Sequence, residues 1–315
     1  MADRRIDVHL HVVPSFYRDA VYEAGSGPAI GRYPDWSPEL ALELMDRSEI
    51  EVAVTSLAQP GVQFLAGDPA YALARRCNDY AAELNQRWPR RFAAFALVPM
   101  QSIDRAIAEI EYAYDALKFT GVCLFASYSE KFLGDPRFDP VLEMLNQRDA
   151  VVFIHPAFHP SSRALDLPWP GFMMEYLFDT TRAAVTLLLS GSLDRFPRIR
   201  FILAHAGGVL PYFSWRLSVA PMIDPRLPQW PRERILEGLR RFWYDIALSP
   251  GPQTMGALKT VAAPERIVFG SDWPFANARV VAEALKSHAE PALHTSAERA
   301  AIDRGNALGL FPQFA

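Results

Sequence analysis

The chain has 315 residues, of which 50% are hydrophobic and 22% charged, with a formal net charge of -4. This composition is typical of a folded protein with a large core, and its mixed charges exclude the basic surface of a nucleic-acid or anionic-membrane binder. Cys77 and Cys123 lack a metal-type spacing, so we interpret them as reduced core thiols of a cytoplasmic protein. We expect no membrane span, because no stretch approaches 18 uncharged apolar residues, and the N-terminus lacks the apolar segment of a signal peptide.

Short apolar runs, rich in β-branched and aromatic residues, predict eight strands. They are Arg5–His11, Val52–Leu57, Phe92–Val98, Gly121–Phe125, Val151–His155, Ile199–His205, Phe242–Leu248 and Arg266–Asp272. The runs are continuous rather than alternating, which indicates parallel strands buried on both faces. Helical periodicity separates most of them, at Asp68–Arg87, Ser102–Lys118, Asp139–Arg148 and Asp179–Leu193. The alternation predicts an α/β fold, a (β/α)8 TIM barrel that forms a single domain over residues 1–315.

Two long insertions interrupt the alternation of strands and helices. Ser15–Pro38 follows the first predicted strand and Ala157–Phe178 follows the fifth. Segments that follow barrel strands lie on the catalytic face, so we expect both insertions to build or cover a pocket there. A third irregular segment covers Pro221–Arg232.

Histidine and aspartate side chains stand at the ends of four predicted strands. His9 and His11 end the first strand two positions apart, so both point to one face, while His155, His205 and Asp272 end the fifth, sixth and eighth strands. Each residue alone could be structural, but in a barrel all five converge on the axis. Imidazoles with a carboxylate bind Zn²⁺ and also suit Mn²⁺ or Fe²⁺. We therefore predict a metal site of His9, His11, His155 and Asp272, with His205 as an acid/base group.

These motifs resemble the amidohydrolase superfamily (amidohydrolase-related family 2) over almost the whole chain. The matching residues are His9-Leu10-His11, His155-Pro156, His205-Ala206-Gly207-Gly208 and Ser271-Asp272-Trp273-Pro274, with Asp179-Thr180-Thr181-Arg182-Ala183 and Leu189-Ser190-Gly191 between them. The His-Ala-Gly-Gly and Ser-Asp-Trp-Pro forms are similar to the decarboxylase branch, which includes the aminocarboxymuconate-semialdehyde and 6-methylsalicylate decarboxylases.

The resemblance implies a metal-dependent, non-oxidative decarboxylase of a small aromatic, hydroxybenzoic or related unsaturated carboxylic acid. A hydrolase on the same scaffold, a lactonase or amidohydrolase with a metal-bound hydroxide, is the alternative. Two-metal relatives carry a lysine on strand four, whereas Lys118 precedes that strand here, so one divalent ion is implied, Zn²⁺ first and Mn²⁺ second. In salicylate-type relatives the aspartate at the position of Asp272 delivers the proton, so both Asp272 and His205 are candidate catalytic residues. The resemblance also implies a homodimer.

Substrate contacts are predicted from loops and aromatic residues around the catalytic face. His159 follows His155 by four residues, Arg182 could bind substrate or orient its own loop, and Arg216 matches an arginine that in the aminocarboxymuconate relative enters the neighbouring subunit's site. For each residue the alternative is an ordinary surface or packing role. Aromatic candidates for the pocket wall are Phe16, Tyr17, Trp169, Phe172, Phe178, Trp273 and Phe275. His288 and His294 lie away from any strand end and are interpreted as surface residues.

Overall fold

The eight predicted strands form one parallel sheet, and its order follows the chain. The computed structural model describes residues 4–28 and 31–315 apart from the side chain of Arg163, so residues 1–3, and 29 and 30 of the first insertion, lie outside the description. The strands are β1 (Arg5–His11), β2 (Ile50–Ser56), β3 (Phe92–Leu97), β4 (Gly121–Phe125), β5 (Val151–His155), β6 (Arg200–Leu203), β7 (Trp243–Asp245) and β8 (Ile267–Val268). A short antiparallel hairpin, Ser127–Tyr128 with Lys131–Phe132, follows β4.

The ring closes between β1 and the segment that follows β8. The amide of Val8 donates to the carbonyl of Phe269 over 3.0 Å, and the amide of His11 donates to the carbonyl of Trp273 over 2.7 Å. In the other direction the amide of Asp272 donates to the carbonyl of His9 over 2.7 Å. These main-chain bonds confirm the predicted (β/α)8 barrel, and they place three of the predicted metal ligands on the closing seam.

Helices surround the sheet and fill the connections between its strands. Their bounds are α1 (Ser15–Glu23), α2 (Pro38–Arg47), α3 (Asp68–Arg87), α4 (Ile103–Asp115), α5 (Asp139–Gln147), α6 (Pro160–Arg163), α7 (Glu175–Leu189), α8 (Ser192–Arg195), α9 (Leu210–Val219), α10 (Arg232–Leu239), α11 (Pro252–Val261), α12 (Ala278–His288), α13 (Ser296–Ala300) and α14 (Asn306–Leu310). The first insertion thus contains a helix, α1, that Pro14 precedes. Within the described residues no helix is both long and apolar enough to cross a bilayer.

Some predicted bounds are wrong, and the backbone explains why. The strands predicted to end at His205, Leu248 and Asp272 stop two to four residues earlier. None of the three predicted end residues can belong to an extended strand, because each has a positive φ, between 52° and 61°. The helix predicted over Asp179–Leu193 begins at Glu175 and stops at Leu189. Gly191, with φ 76°, then separates it from α8.

The barrel interior below the strand ends is a separate apolar cluster. Phe95 and Phe153 stack there with ring centres 5.5 Å apart, and Phe311, which follows α14, packs against Phe95 from the N-terminal end of the barrel. The Phe153 ring also meets the ring of His9 edge-on at 4.8 Å. Cys123 belongs to this cluster and Cys77 to the outer core, so the prediction that both are buried thiols is confirmed.

Two other predictions are wrong. His288 is 1% and His294 is 7% exposed, so neither is a surface residue. Both are covered because the end of α12 and the segment before α13 fold against Asp303 and Phe269.

Candidate metal centre

Four of the five predicted site residues form a single group of potential metal ligands. His9, His11, His155 and Asp272 each bring one ligand atom into a cluster whose atoms all lie within 4.8 Å of one another. All four residues are buried, with at most 6% exposure. β1 supplies the first two side chains and β5 the third, while Asp272 comes from the turn after β8. The convergence results from strand ends that meet on the barrel axis.

The outer ring nitrogens of the three histidines are held by neighbouring groups. Nδ1 of His9 donates to Asp245 over 2.8 Å, Nδ1 of His155 donates to the carbonyl of Pro156 over 2.8 Å, and Nδ1 of His11 shares a hydrogen bond with Ser56 Oγ at 3.1 Å. This leaves Nε2 of each ring directed inward. Nε2 of His9 lies 3.1 Å from Nε2 of His11, a separation at which two lone pairs repel unless a proton or a cation lies between them. The donor set therefore fits a metal ion.

The charge of the cluster also suits a cation. Asp272 Oδ1 lies 3.1 Å from Nε2 of His11 and 3.4 Å from Nε2 of His9. Burial alone would raise the pKa of Asp272, but His9, His11 and His205 hold it well below its usual range. Burial lowers the pKa of His11, and it lowers that of His155 further still with help from the neighbouring imidazoles. For His9, Asp245 and Asp272 outweigh burial and raise the pKa to about 10, so a proton and a metal ion compete for this ring.

His205 lies beside the ligand group rather than within it. Its Nε2 is 3.4 Å from Asp272 Oδ2, the carboxylate oxygen turned away from His9 and His11. Its ring centre is 5.0 Å from that of His9 and 6.4 Å from that of His155. Nδ1 of His205 is buried and has no partner among the described residues. The arrangement lets His205 exchange a proton with Asp272 or with a molecule bound next to it.

An unusual backbone segment places His205. His205, Ala206, Gly207 and Gly208 all have positive φ, from 55° to 74°, which costs energy at the two residues that carry a Cβ atom. Gly208 is also confined by its surroundings, because a Cβ atom there would lie 2.1 Å from the carbonyl oxygen of Leu177. The His-Ala-Gly-Gly sequence therefore allows a tight turn against α7.

A cavity of about 520 Å³ opens directly onto the ligand group. Its walls are mostly apolar, and its polar members include Gln59, whose Oε1 accepts a hydrogen bond from Tyr176 over 3.2 Å. Among the described residues that line it, none is a lysine or an arginine. The lining residues are Pro28, Ala58, Gln59, His155, Phe172, Met173, Tyr176, Leu177, His205, Leu248, Ser249, Thr254, Asp272, Phe275, Ala276, Asn277 and Val280.

Comparison with known proteins confirms the family that the sequence motifs resemble. A profile described as amidohydrolase matches residues 6–313. The chain belongs to the amidohydrolase family.

Several relatives of this amidohydrolase are decarboxylases. It is 37% identical to a 6-methylsalicylic acid decarboxylase of Penicillium expansum over 98% of the chain and 96% of that protein. It is 31% identical to a gamma-resorcylate decarboxylase of Rhizobium radiobacter over 86% of the chain and 85% of that protein. A dihydroxybenzoic acid decarboxylase from Polaromonas, with bound manganese and the inhibitor 2-nitroresorcinol, superimposes with a TM-score of 0.84 at 26% identity over 99% and 98% of the two chains. These relatives confirm the prediction of a carboxy-lyase of the amidohydrolase superfamily.

Two carboxylates that support the amidohydrolase site were missed at the sequence level. Asp245 is fully buried and binds three groups, Nδ1 of His9 and the amides of His205 and Ala247. Asp7 accepts from the amides of His9 and Ser271 over 2.9 and 3.1 Å, and burial raises its pKa to about 7. The available signal was an aspartate within each of two predicted strands, Asp7 in Arg5–His11 and Asp245 in Phe242–Leu248.

The structure places the predicted substrate contacts mostly outside the cavity. Phe16 packs edge-on against Tyr80 below Arg76, and Trp273 is 6% exposed in the core, where its carbonyl accepts from His11. His159 stacks on Phe132 at 4.7 Å and caps α6.

The remaining predicted contacts lie on outer surfaces. Trp169 is 46% exposed, Arg182 lies over Phe178, and Arg216 is exposed on α9. Of the seven aromatic candidates, Phe172 and Phe275 line the cavity.

Proposed function

We propose that this amidohydrolase removes CO₂ from small benzoic acids that carry one carboxylate and a hydroxyl group ortho to it. The observation that carries the proposal is the cavity of about 520 Å³, which ends on the ligand group and has no lysine or arginine among its described lining residues. Among the described residues of the cavity, a substrate carboxylate therefore finds a positive partner only at the proposed metal group. The size of the cavity is within the usual range for small molecules, roughly 300–1,000 Å³.

The 6-methylsalicylic acid and gamma-resorcylate decarboxylases support a monocyclic substrate with one carboxylate. The Penicillium expansum protein acts on 6-methylsalicylic acid, whose methyl group suits apolar walls such as Phe172, Met173, Leu177 and Phe275. A second carboxylate would be buried in the same cavity without a cationic partner, which is unfavourable. We therefore expect monocarboxylic acids to be preferred over dicarboxylic ones.

One divalent ion would be held by His9, His11, His155 and Asp272. When bound, it supplies a positive charge that fixes the carboxylate and the neighbouring hydroxyl oxygen of the substrate. The manganese of the Polaromonas neighbour supports Mn²⁺, while three imidazoles and one carboxylate also suit the Zn²⁺ predicted from the sequence. Elemental analysis of the purified enzyme, with activity restored to the chelator-treated protein by each ion in turn, distinguishes the two.

The chain's own residues would move the proton that the reaction requires. The ring carbon that bears the carboxylate gains a proton, the bond to the carboxylate carbon breaks, its electron pair returns to the ring, and CO₂ leaves. His205 Nε2 and Asp272 Oδ2, 3.4 Å apart, would share this proton, and either could deliver it to the ring. The apolar walls would exclude water, which favours loss of the charged carboxylate.

Turnover of a panel of acids and lactones tests the proposal. We expect CO₂ and the corresponding phenol, in equal amounts, from salicylate and 6-methylsalicylate. The alternative activity, a hydrolase of lactones or amides, requires water as a reactant. Turnover of lactones with no CO₂ from any ortho-hydroxybenzoate would contradict the proposal and favour the hydrolase.

We also propose that the enzyme is a homodimer. Tyr212, Trp215, Met222 and Ile223 are 90%, 63%, 75% and 78% exposed on and after α9, beside Arg216, and an apolar surface of this kind is typical of a protein interface. Light scattering should give twice the chain mass, and Trp215→Glu should give monomers. A wild-type monomer at micromolar concentration would contradict the dimer. The cytoplasmic location stays a prediction.

A further inference from the structure

A second histidine cluster lies at the opposite end of β1 from the proposed active site. His288 ends α12, and His294 lies in the segment before α13. Their ring centres are 4.9 Å apart with the planes at 65°. The metal-centre pair His9 and His11 has the same separation, 4.9 Å, with the planes at 85°. The two pairs therefore have a similar edge-to-face geometry.

Three ring nitrogens of this cluster have no partner. Nδ1 of His288 and both ring nitrogens of His294 are buried and form no hydrogen bond with the described residues. An imidazole without a partner is costly in a protein interior, so such groups require an explanation. Contact with solvent does not explain the missing partners, because only 1% of His288 and 7% of His294 is exposed.

The fourth ring nitrogen, Nε2 of His288, bonds to a carboxylate, which is a common partner of metal-binding histidines. Nε2 of His288 donates to Asp303 Oδ1 over 3.1 Å, and the same oxygen accepts from Nε of Arg5 over 3.1 Å. A carboxylate on one ring nitrogen fixes the tautomer and leaves a lone pair on the other nitrogen. Asp245 has the same relation to His9 in the metal centre.

The surrounding charges leave His294 neutral. Burial, His288 and Lys259 lower the pKa of His294 to about 4, so at neutral pH one of its ring nitrogens has a free lone pair. Lys259 is itself occupied, because its Nζ donates to Glu298 over 3.1 Å and to the carbonyl of Leu293 over 2.6 Å. His294 keeps 7% of its surface exposed, so solvent contacts this side of the cluster.

We propose that His288 and His294 form a second metal site, which takes a divalent ion of the zinc, nickel and copper class through Nδ1 of His288 and one ring nitrogen of His294. Water completes the coordination, and Asp303 orients His288. Such an ion would connect α12 to the segment before α13 and, through Asp303 and Arg5, to the start of β1. The site is separate from the proposed catalytic centre, and its presence does not depend on the reaction catalysed there.

Metal counting on paired variants tests this site. Chelator-treated wild-type protein dialysed against Zn²⁺ should bind two equivalents. His294→Gln should lose the second equivalent and keep the first, whereas His155→Gln should lose the first and keep the second. One equivalent in the wild type, or two in His294→Gln, would overturn the proposal.

A spectroscopic measurement on the wild-type protein tests the site even if His294→Gln does not fold. The wild-type protein loaded with Zn²⁺ at its first site and then with one equivalent of Cu²⁺ should give an electron paramagnetic resonance signal with hyperfine splitting from two imidazole nitrogens. Copper without nitrogen splitting at this second equivalent would also overturn the proposal.

Discussion

Two histidine clusters lie at the two ends of β1, and they differ in how their rings are held. At the C-terminal end, His9, His11 and His155 each have Nδ1 bound to a fixed group, so their Nε2 atoms converge. At the N-terminal end, Asp303 holds His288, while neither nitrogen of His294 has a partner among the described residues. The ring centres of His9 and His11 are as far apart as those of His288 and His294, 4.9 Å, so the two pairs differ in their hydrogen-bond partners rather than in their spacing.

The comparison predicts that outer hydrogen bonds set the relative metal affinity of the two proposed sites. A ring whose orientation is fixed loses little freedom when it binds an ion, whereas a free ring must be ordered at that moment. We therefore expect the C-terminal cluster to bind its ion far more tightly than the N-terminal cluster. The first three of the following changes test the two clusters and the fourth tests the cavity beside the first cluster, in order of decreasing expected effect.

Asp272→Asn should lower decarboxylation by roughly 10³-fold, because the change removes a charged ligand and a proton carrier while it keeps the shape of the side chain. Steady-state rates measured with saturating metal give the effect, and an unchanged circular dichroism melt verifies the fold. Activity within tenfold of the wild type would mean that Asp272 belongs to neither the metal site nor the proton transfer.

Asp245→Asn should weaken metal binding or activity by about 10- to 100-fold, because the amide holds Nδ1 of His9 less firmly than the carboxylate does. Metal affinity is measured by competition with a chromogenic chelator. The matched control is Asp224→Asn, since Asp224 pairs with Arg226 on the surface. An equal effect of the two substitutions would contradict the anchoring role of Asp245.

Asp303→Asn should reduce the free energy of unfolding at pH 7 by about 1–3 kcal/mol, because Arg5 and His288 lose a charged acceptor. Burial opposes it, but His288 and Arg5 hold the pKa of Asp303 below its usual value. The stability from this group is complete above the unfolded value of about 3.9 and is lost as the pH falls through the lower folded value. Urea unfolding from pH 2 to 7 should thus give a flatter acid limb for Asp303→Asn, and parallel limbs would disprove the contribution.

Tyr176→Phe should raise KM roughly two- to tenfold with little change in kcat, because the change removes the hydrogen bond that orients the Gln59 amide in the cavity wall. The exposed Tyr212 provides the control, Tyr212→Phe, for which no kinetic change is expected. A fall in kcat at unchanged KM would instead indicate that Tyr176 acts in the chemical step.

The sequence predicted those strands and site residues that a local pattern of apolar and polar residues identifies. The bounds of β1, β4 and β5 agree with the prediction. The four proposed ligands could be predicted to cluster because polar side chains at the ends of apolar strands are conspicuous. Asp245 was overlooked because the run Phe242–Leu248 seemed to continue past it, whereas β7 ends there.

The other omissions depend on contacts between distant segments. Gln59 and Tyr176 form one wall although 117 residues separate them. His288 is covered by Asp303, fifteen positions away, and by Phe269. A periodicity of two or 3.6 residues describes one strand or one helix, so it contains no information on which loops meet. The same limit explains why Phe16 and Trp273 were assigned to a pocket wall that they do not line.

The seam that closes the barrel has a consequence for folding. The amide of Ser271 donates to Asp7 across 264 positions of the chain, and the neighbouring bonds of β1 are of similar range. Contacts of such range form late, since the chain must lose most of its freedom before its ends meet. During synthesis β1 emerges before the other strands of the barrel, and its final neighbour follows the last of them, so one edge of β1 stays unpaired until all eight strands have been made. The proposed metal ligands thus come together only after β8 has formed, and a metal ion bound there would stabilise the last pairing of the barrel.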